Sequence, residues 1–331
     1  MSQNDPQPES DGKLVVIIPA LNEAKTIGSV ISRIPEQISG VSHIQVVVVN
    51  DGSTDATKEI ALSAGAIVVS NASPQGVGAA FHSGIKKALM ESADIIVNID
   101  ADGQFRPEDI PTLIQPILEN KAGFVTATRF AKKEWMPDMP AVKMWGNGWM
   151  TRIINFITNK HFTDVSCGFR AYTRETALRL TLFGRFTYTQ ETFIDLAFKN
   201  IAMVEVPLKI RGEREHGKSR VASNLWRYGI KAATIIFRAA RDYQPFYFFG
   251  VPGLVIFIIG ILGAVFLLVH YLQTGQTSPY RSLVSVSGVM LIIGFLLFFI
   301  SMLADMMHRN RIMLDKMLYL TRKHVYEKKH D

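Results

Sequence analysis

Two uninterrupted apolar stretches constrain this chain more than any other feature of its sequence. No charged residue occurs from Tyr247 to Val269 or from Leu283 to Ala304. A helix rises about 1.5 Å per residue and needs about 20 residues to cross the hydrocarbon of a bilayer, so each stretch is long enough to span one. A helix buried in a soluble core is the weaker alternative. The connector from His270 to Ser282 is short and holds Gly275 and Pro279, which predicts a hairpin whose two ends return to one side. Cations crowd the outer flanks, from Lys209 and Arg211 to Arg238 and Arg241 before the first stretch, and from Arg309 and Arg311 to Lys328 and Lys329 after the second. By the positive-inside rule both flanks, and with them the N-terminal domain, are expected on the cytoplasmic side.

Ahead of the hairpin, a chain of 331 residues leaves room for one large α/β domain. The excess of 36 basic over 29 acidic residues, +7, suits an anionic partner. Because that charge gathers beside the apolar stretches and not on the N-terminal domain, a membrane surface or a phosphorylated substrate is expected, and no nucleic acid. Cys167 is the single cysteine, so no intrachain disulfide can form, which fits a reducing compartment. Residues 1–12 are polar and lack the basic and apolar regions of a signal peptide, and read as a disordered lead-in. The expected division is 13–220 for a catalytic domain, 221–245 for a juxtamembrane helix, 246–305 for the hairpin and 306–331 for a basic cytoplasmic tail.

Within the catalytic region, Leu14 to Ile18, Ile44 to Val49, Ile67 to Ser70 and Ile95 to Ile99 are short β-branched runs separated by helix-like stretches. That alternation predicts a mostly parallel sheet with ligands beyond the carboxyl ends of its strands. Polar clusters stand at those ends. Asp100-Ala101-Asp102-Gly103-Gln104 follows one strand directly, and alternate carboxylates with an amide oxygen can converge on a hard cation. Ordinary turn chemistry is the alternative for this segment. Asn50-Asp51-Gly52-Ser53-Thr54-Asp55 follows another strand and precedes a helix expected near Ala56, where a hydroxyl or carboxylate can cap the first turn while Asp51 faces a ligand. Pro19-Ala20-Leu21-Asn22-Glu23 ends the first strand in the same way.

Together with Thr128-Arg129-Phe130, these segments resemble the successive signatures of the inverting GT-A glycosyltransferases, in the branch of dolichol-phosphate mannose synthases and polyprenyl-phosphate glycosyltransferases. The resemblance covers about residues 14 to 220 and implies a GT-A (Rossmann-like) domain followed by the two-helix hairpin. It implies that Glu23, Asp51 and Asp100, with Pro19, Leu21, Gly76 and Ala101, line a nucleotide-sugar pocket. It further implies that Asp102 and Gln104 hold Mg²⁺ or Mn²⁺ with the donor diphosphate, and that Arg129 faces phosphate. Asp164 to Arg170 is similar to the family's D-x-x-S/T-G-F-R segment, with Cys167 in the small hydroxyl position, and Glu191 resembles the acidic residue near the acceptor. Arg214 to Arg220 is similar to the family's R-x-x-G-x-S-K loop, which closes over the donor, with Arg220 in place of the usual lysine, and the resemblance assigns Arg214 and Lys218 to donor binding. The glycines at Gly76 and Gly78 superficially match a dinucleotide fingerprint, but the third glycine is missing and the segment fits the family's own helix start.

From Ala141 to Phe162, Trp145, Trp149, Ile153, Phe156 and Ile157 recur at helical spacing among Lys143, Asn147 and Arg152. This is either an amphipathic core helix or an interfacial one. Lys143 and Asn147 lie four apart on one face, where the family places contacts to the lipid phosphate. The basic stretch 221–242 offers the same two choices. No Ser, Cys or His arrangement suits a covalent mechanism. The expected reaction is therefore metal-dependent inverting transfer of a hexose-type sugar from a nucleotide-diphosphate sugar to a polyprenyl phosphate, with Asp102, Arg129, Glu191 and Lys218 carrying it. Another lipid or polysaccharide acceptor, and a non-catalytic nucleotide-sugar-binding subunit, are the alternatives. The hairpin also offers surface for pairing with further copies of the chain.

Overall fold

A computed structural model describes residues 12–131, 133–136, 139, 141–182, 188–211, 234, 237–238, 241–243 and 245–327. The described chain divides into two compact units, one running to Arg211 and taking in Leu318–Glu327, the other lying within Ile230–Met317.

The first unit is built on strands β1 (Gly12–Ala20), β2 (Val41–Asn50), β3 (Ile67–Ser70), β4 (Ile95–Asn98), β5 (Phe124–Thr128), β6 (Arg170–Thr173) and β7 (Met203–Pro207). They form one sheet in the order β3-β2-β1-β4-β6-β5-β7. Leu14 to Ile18 of β1 are all fully buried, which is why this strand reads as an unbroken apolar run: a central parallel strand is covered on both faces. One cover is α3 (Val77–Met90), whose Gly84 lets the helix lie directly on Ile17. The other is α4 (Ile110–Leu118), which joins Ile110, Leu113 and Ile114 to Leu14, Val16 and Ile18 in one core. The helices α1 (Ile27–Ser32) and α2 (Thr57–Ser63) return the chain between the first strands.

β1, β2, β3 and β4 are parallel, whereas β6 pairs antiparallel with both β4 and β5. The consequence decides the site. The carboxyl ends of β1, β2, β4 and β5 lie along one edge of the sheet, and the reversed β6 brings its own lead-in, Asp164–Phe169, to that same edge. The helices α5 (Ala141–Thr158) and α7 (Tyr188–Phe198) bring side chains to this end, whereas α6 (Arg174–Arg179) starts at the opposite end, where Arg174 donates its amide to the Asp94 carbonyl ahead of β4.

In the second unit α8 (Val251–Thr274) is preceded by a π turn at Phe246–Gly250 and ends at Gly275, whose φ of 67° forms a left-handed cap. α9 then runs without interruption from Arg281 to Glu327, its residues from Leu318 onward belonging to the first unit. Both helices are long and apolar enough to cross a membrane. They touch through small residues: a Cβ on Gly260 would meet the Leu291 backbone at 2.9 Å, and one on Gly294 the Phe257 backbone at 2.6 Å. Without a hydrophobic drive between helices in lipid, such close backbone approach supplies the packing.

Candidate active site

The first two strand ends are stitched together by their own hydrogen bonds. Asn22, held at φ 54°, donates its amide to Ser53 Oγ at 2.9 Å and accepts the Thr54 amide at 2.8 Å. The Glu23 amide donates to Thr57 Oγ1 at 2.9 Å, and Ala24 to Asp55 Oδ2 at 3.2 Å. Asp55 also accepts the Thr57 amide at 3.1 Å, but it stands one residue before the N-cap of α2, which is Ala56 and carries no side-chain cap. Ser53 and Thr54 serve Asn22 instead.

Asp51 is 3% exposed and fully engaged. Its Oδ1 accepts Asn71 Nδ2 at 2.8 Å and the Gln75 amide at 2.9 Å, while Oδ2 accepts the Gly76 amide at 2.8 Å. A carboxylate gathering backbone amides in this way fixes the loop 71–76 that leads into α3. Pro19, Leu21, Glu23, Asp51 and Gly76 thus fall along one wall, at the ends of β1 and β2.

Asp100 to Gln104 leave the end of β4 in the middle of the edge. Asp102 is 4% exposed and accepts the Gln104 amide through Oδ1 at 3.1 Å. Ala101 is buried beneath it. Opposite stands Gly168, where any Cβ would lie 2.7 Å from Asp100 Oδ2. Gly168 is in turn fixed by Asn98 of β4, whose Nδ2 donates to its carbonyl at 2.7 Å. The carboxylate and amide oxygens on this loop match the donor set of a hard divalent cation that takes its remaining ligands from phosphate and water. No group of three His, Cys, Asp or Glu suited to a metal occurs among the described residues, so any metal held here takes part of its shell from elsewhere.

Arg129 follows β5, and Asp164 comes from the lead-in to β6. The guanidinium meets the carboxylate as a fork, Nε to Oδ2 at 2.6 Å and Nη2 to Oδ1 at 2.9 Å. Asp164 is fully buried, and 17% of the Arg129 side chain remains exposed. Burial works against the arginine's charge, but the adjoining Asp164 carboxylate outweighs it and holds the pKa above the ordinary value. A second carboxylate supports the first: Glu205 of β7 accepts the amides of Thr163 and Asp164 at 2.8 to 3.0 Å. Its own pKa is raised, chiefly by burial.

α5 turns Asn147 inward, 7% exposed, to a short hydrogen bond from Ser166. The outer face of α5 leaves Trp145 65%, Trp149 52% and Phe156 88% exposed, while Met150 and Ile154 face the core. Glu191 lies in the first turn of α7, after a fully buried Tyr188 that stacks on Phe81 at 4.6 Å. Burial, with Asp100 nearby, pushes the Tyr188 hydroxyl pKa up. Cys167 is buried and its thiol is pushed up to about 12 by burial and by Asp164, which suits a packing role and not a nucleophile. The Lys143 side chain, Arg214 and Lys218 lie outside the described residues.

Sequence reasoning did not single out Arg170 as a support. It is fully buried and donates to the carbonyls of Cys167, Thr189 and Val165 at 2.7, 2.9 and 3.3 Å, with its guanidinium 4.9 Å from the Phe193 ring centre. It binds the Asp164–Gly168 segment to α7. The signal available was its place directly after Gly-Phe in a matched motif.

Known proteins share this arrangement. The chain is 29% identical to the UDP-N-acetylglucosamine–dolichyl-phosphate N-acetylglucosaminyltransferase of Methanococcus voltae over 60% of its own length and 86% of that protein. It is 26% identical to the undecaprenyl-phosphate mannosyltransferase of Micrococcus luteus over 66% of this chain and 95% of that one. Among solved structures, glucosyl-3-phosphoglycerate synthase from Mycobacterium tuberculosis, in complex with Mn²⁺, UDP-glucose and phosphoglyceric acid, superposes with a TM-score of 0.52 at 26% identity, covering 69% of this chain and 79% of that one. The glycosyl transferase family 2 model matches residues 15–180, half of the chain and the segment that carries every strand end described above. The chain is a glycosyltransferase and belongs to glycosyl transferase family 2.

Proposed function

We propose that this enzyme transfers a hexose-type sugar, with inversion, from a nucleotide-diphosphate sugar to a polyprenyl phosphate at the cytoplasmic face of a membrane. The observation that carries the reading is the convergence of Asp100–Gln104 and the Arg129–Asp164 fork on one sheet edge. Oxygen ligands for a cation and a fixed guanidinium there flank the place where a diphosphate would depart.

The relatives named for dolichyl and undecaprenyl phosphate support the acceptor class. So do the exposed tryptophans of α5 and the two apolar helices, which suit an interfacial and a membrane-spanning role. The flanking cations favour a cytoplasmic catalytic unit.

Glu23, Asp51 and Asp100, with Pro19, Leu21, Gly76 and Ala101, would form the nucleoside wall, Asp51 acting by holding the Gly76 amide in place. Asp102 and Gln104 would hold Mg²⁺ or Mn²⁺, which when bound neutralises charge on the departing diphosphate. A phosphomonoester has its second ionisation near 6, so at neutral pH the acceptor oxygen is already an anion and needs no strong base. That oxygen attacks the anomeric carbon as the bond to the diphosphate oxygen breaks, and the nucleoside diphosphate leaves with the electron pair. Arg129, kept charged and in place by Asp164, stabilises the phosphate groups, with Lys218 and Arg214 assigned to the donor loop. Lys143 and Asn147 are assigned to the acceptor phosphate, Asn147 through Ser166, and Glu191 to the acceptor side.

Asp102→Asn keeps an oxygen for the Gln104 amide while removing the charge. It should lower divalent-dependent transfer by about 10²-fold or more while leaving the thermal midpoint near wild type. A wild-type rate in this variant overturns the assignment.

A further inference from the structure

The last residues of α9 belong to the catalytic unit and touch it through specific polar contacts. Tyr319 donates its hydroxyl to Glu175 of α6 at 2.9 Å, and the Arg179 guanidinium lies 5.1 Å from the Tyr319 ring centre. Arg174, at the start of α6, donates to the Tyr326 carbonyl at 3.2 Å and to Ala93 at 3.2 Å. Most telling is Arg322: one nitrogen, Nη1, donates to the carbonyls of Leu178 and Leu180 at 3.1 and 2.6 Å.

Those carbonyls belong to the C-terminal end of α6, where a helix leaves its last acceptors unsatisfied and where a cation is favoured. α6 is only six residues long, so its end is set by such contacts more than by its own cooperativity. Lys199 of α7 binds the same exit from the other side, through the Arg179 carbonyl at 2.6 Å and Thr181 Oγ1 at 3.0 Å, and Thr181 donates its amide to Asp195 at 3.1 Å. The segment 178–182 is therefore held between α7 and the C-terminal segment. Asp195 and Lys199 tie it to α7, the helix whose first turn carries Tyr188 and Glu191.

A cavity of about 250 Å³ lies beneath these contacts, walled by Phe81, His82, Leu180, Arg322 and Tyr326 among others. Phe81 is the ring on which Tyr188 stacks, and His82 sits in the field of both Arg322 and Glu191. The C-terminal segment is thus one residue layer from the acceptor-side groups.

We propose that Leu318–Glu327 is a positioning element of the catalytic unit, in which Arg322 fixes the exit of α6 and thereby sets where Tyr188 and Glu191 stand. The inference rests on the acceptor-side role given to Glu191 above. Loss of Arg322 lets the 178–182 segment shift, and a misplacement of this size costs turnover without touching the nucleotide wall.

The test compares full-length Arg322→Ala and Arg322→Lys with wild type by amide hydrogen exchange, kcat and nucleotide affinity. Arg322→Ala should speed exchange across 178–192, leave exchange in β1 and β4 unchanged, lower kcat about tenfold and keep nucleotide affinity within about twofold. Arg322→Lys, which can still donate to both carbonyls, should recover most of the rate. Unchanged exchange across 178–192, faster exchange with unchanged kcat, or faster exchange spread through the whole sheet overturns the proposal. Glu191→Gln separates the two readings: full activity there refutes the acceptor assignment, while the exchange result for Arg322→Ala decides the positioning contact by itself.

Discussion

Arg129 and Asp164 join through two hydrogen bonds of 2.6 and 2.9 Å, and the carboxylate side of that fork is wholly buried. Removing one partner of such a pair leaves the other charge uncompensated, at a cost of about 3–5 kcal/mol. Asp164→Ala should therefore unfold at a clearly lower temperature than wild type, and what remains folded should transfer sugar at least about tenfold more slowly. Calorimetry with an activity assay on the same sample checks both. An Asp164→Ala enzyme with wild-type stability contradicts the fork as the support of Arg129.

The approach of Gly168 to Asp100 leaves no room for a methyl group. Gly168→Ala should push the Asp100 carboxylate from its place, with an overpacking cost of about 1–3 kcal/mol. Nucleotide-sugar affinity should fall about tenfold or more, measured by titration in the presence of Mn²⁺. Unchanged affinity would show that Asp100 does not line the nucleotide pocket.

Cys167 gives a readout of native packing at the same edge. Its thiol, pushed up to about 12, stays protonated at pH 8 and is shielded from solvent. Iodoacetamide should label the native chain at least about 100-fold more slowly than the chain in urea, followed by mass spectrometry. Rapid native labelling would place Cys167 at the surface.

The imidazole of His82 titrates below its usual value, first because it is half-buried and then because Arg322 is near, against the pull of Glu191. A base with a depressed folded-state pKa contributes stability that is present above the unfolded pKa, about 6.5, and is lost as pH falls through the folded value. Thermal midpoints recorded from pH 7.5 to 5 should fall more steeply for wild type than for His82→Phe. Equal slopes contradict a half-buried His82 with a lowered pKa.

Much of this was legible in the sequence, and the exceptions share a cause. β1, β2 and β4 were marked by β-branched runs because central parallel strands are covered on both faces, and β3, though at the rim of the sheet and half-buried, carries the same residue types. The start of α2 near Ala56 and both apolar helices were equally plain. β6 was not, because Arg-Ala-Tyr-Thr has neither an apolar run nor clean alternation, and its antiparallel insertion is what delivers Asp164 and Gly168 to the site. Arg170 was visible only as the last residue of a matched motif, and its carbonyl partners come together only in the fold. Asp51 was visible as a strand-end carboxylate. That the Gln75 and Gly76 amides would occupy it depends on the path of a loop that no local pattern specifies. The helical contacts of Tyr319 and Arg322 were hidden for a similar reason, since a run of lysines and arginines after an apolar span signals orientation and says nothing of a docking face.

The central claim is transfer to a lipid phosphate. Purified enzyme should be incubated with radiolabelled nucleotide sugars and Mn²⁺, with polyprenyl phosphate in one series and the same polyprenol lacking phosphate in the other, and label in the organic phase counted. The account predicts label from at least one donor with the phosphate and none with the free alcohol. Equal labelling of the free alcohol, or label from no donor with the phosphate, would contradict it.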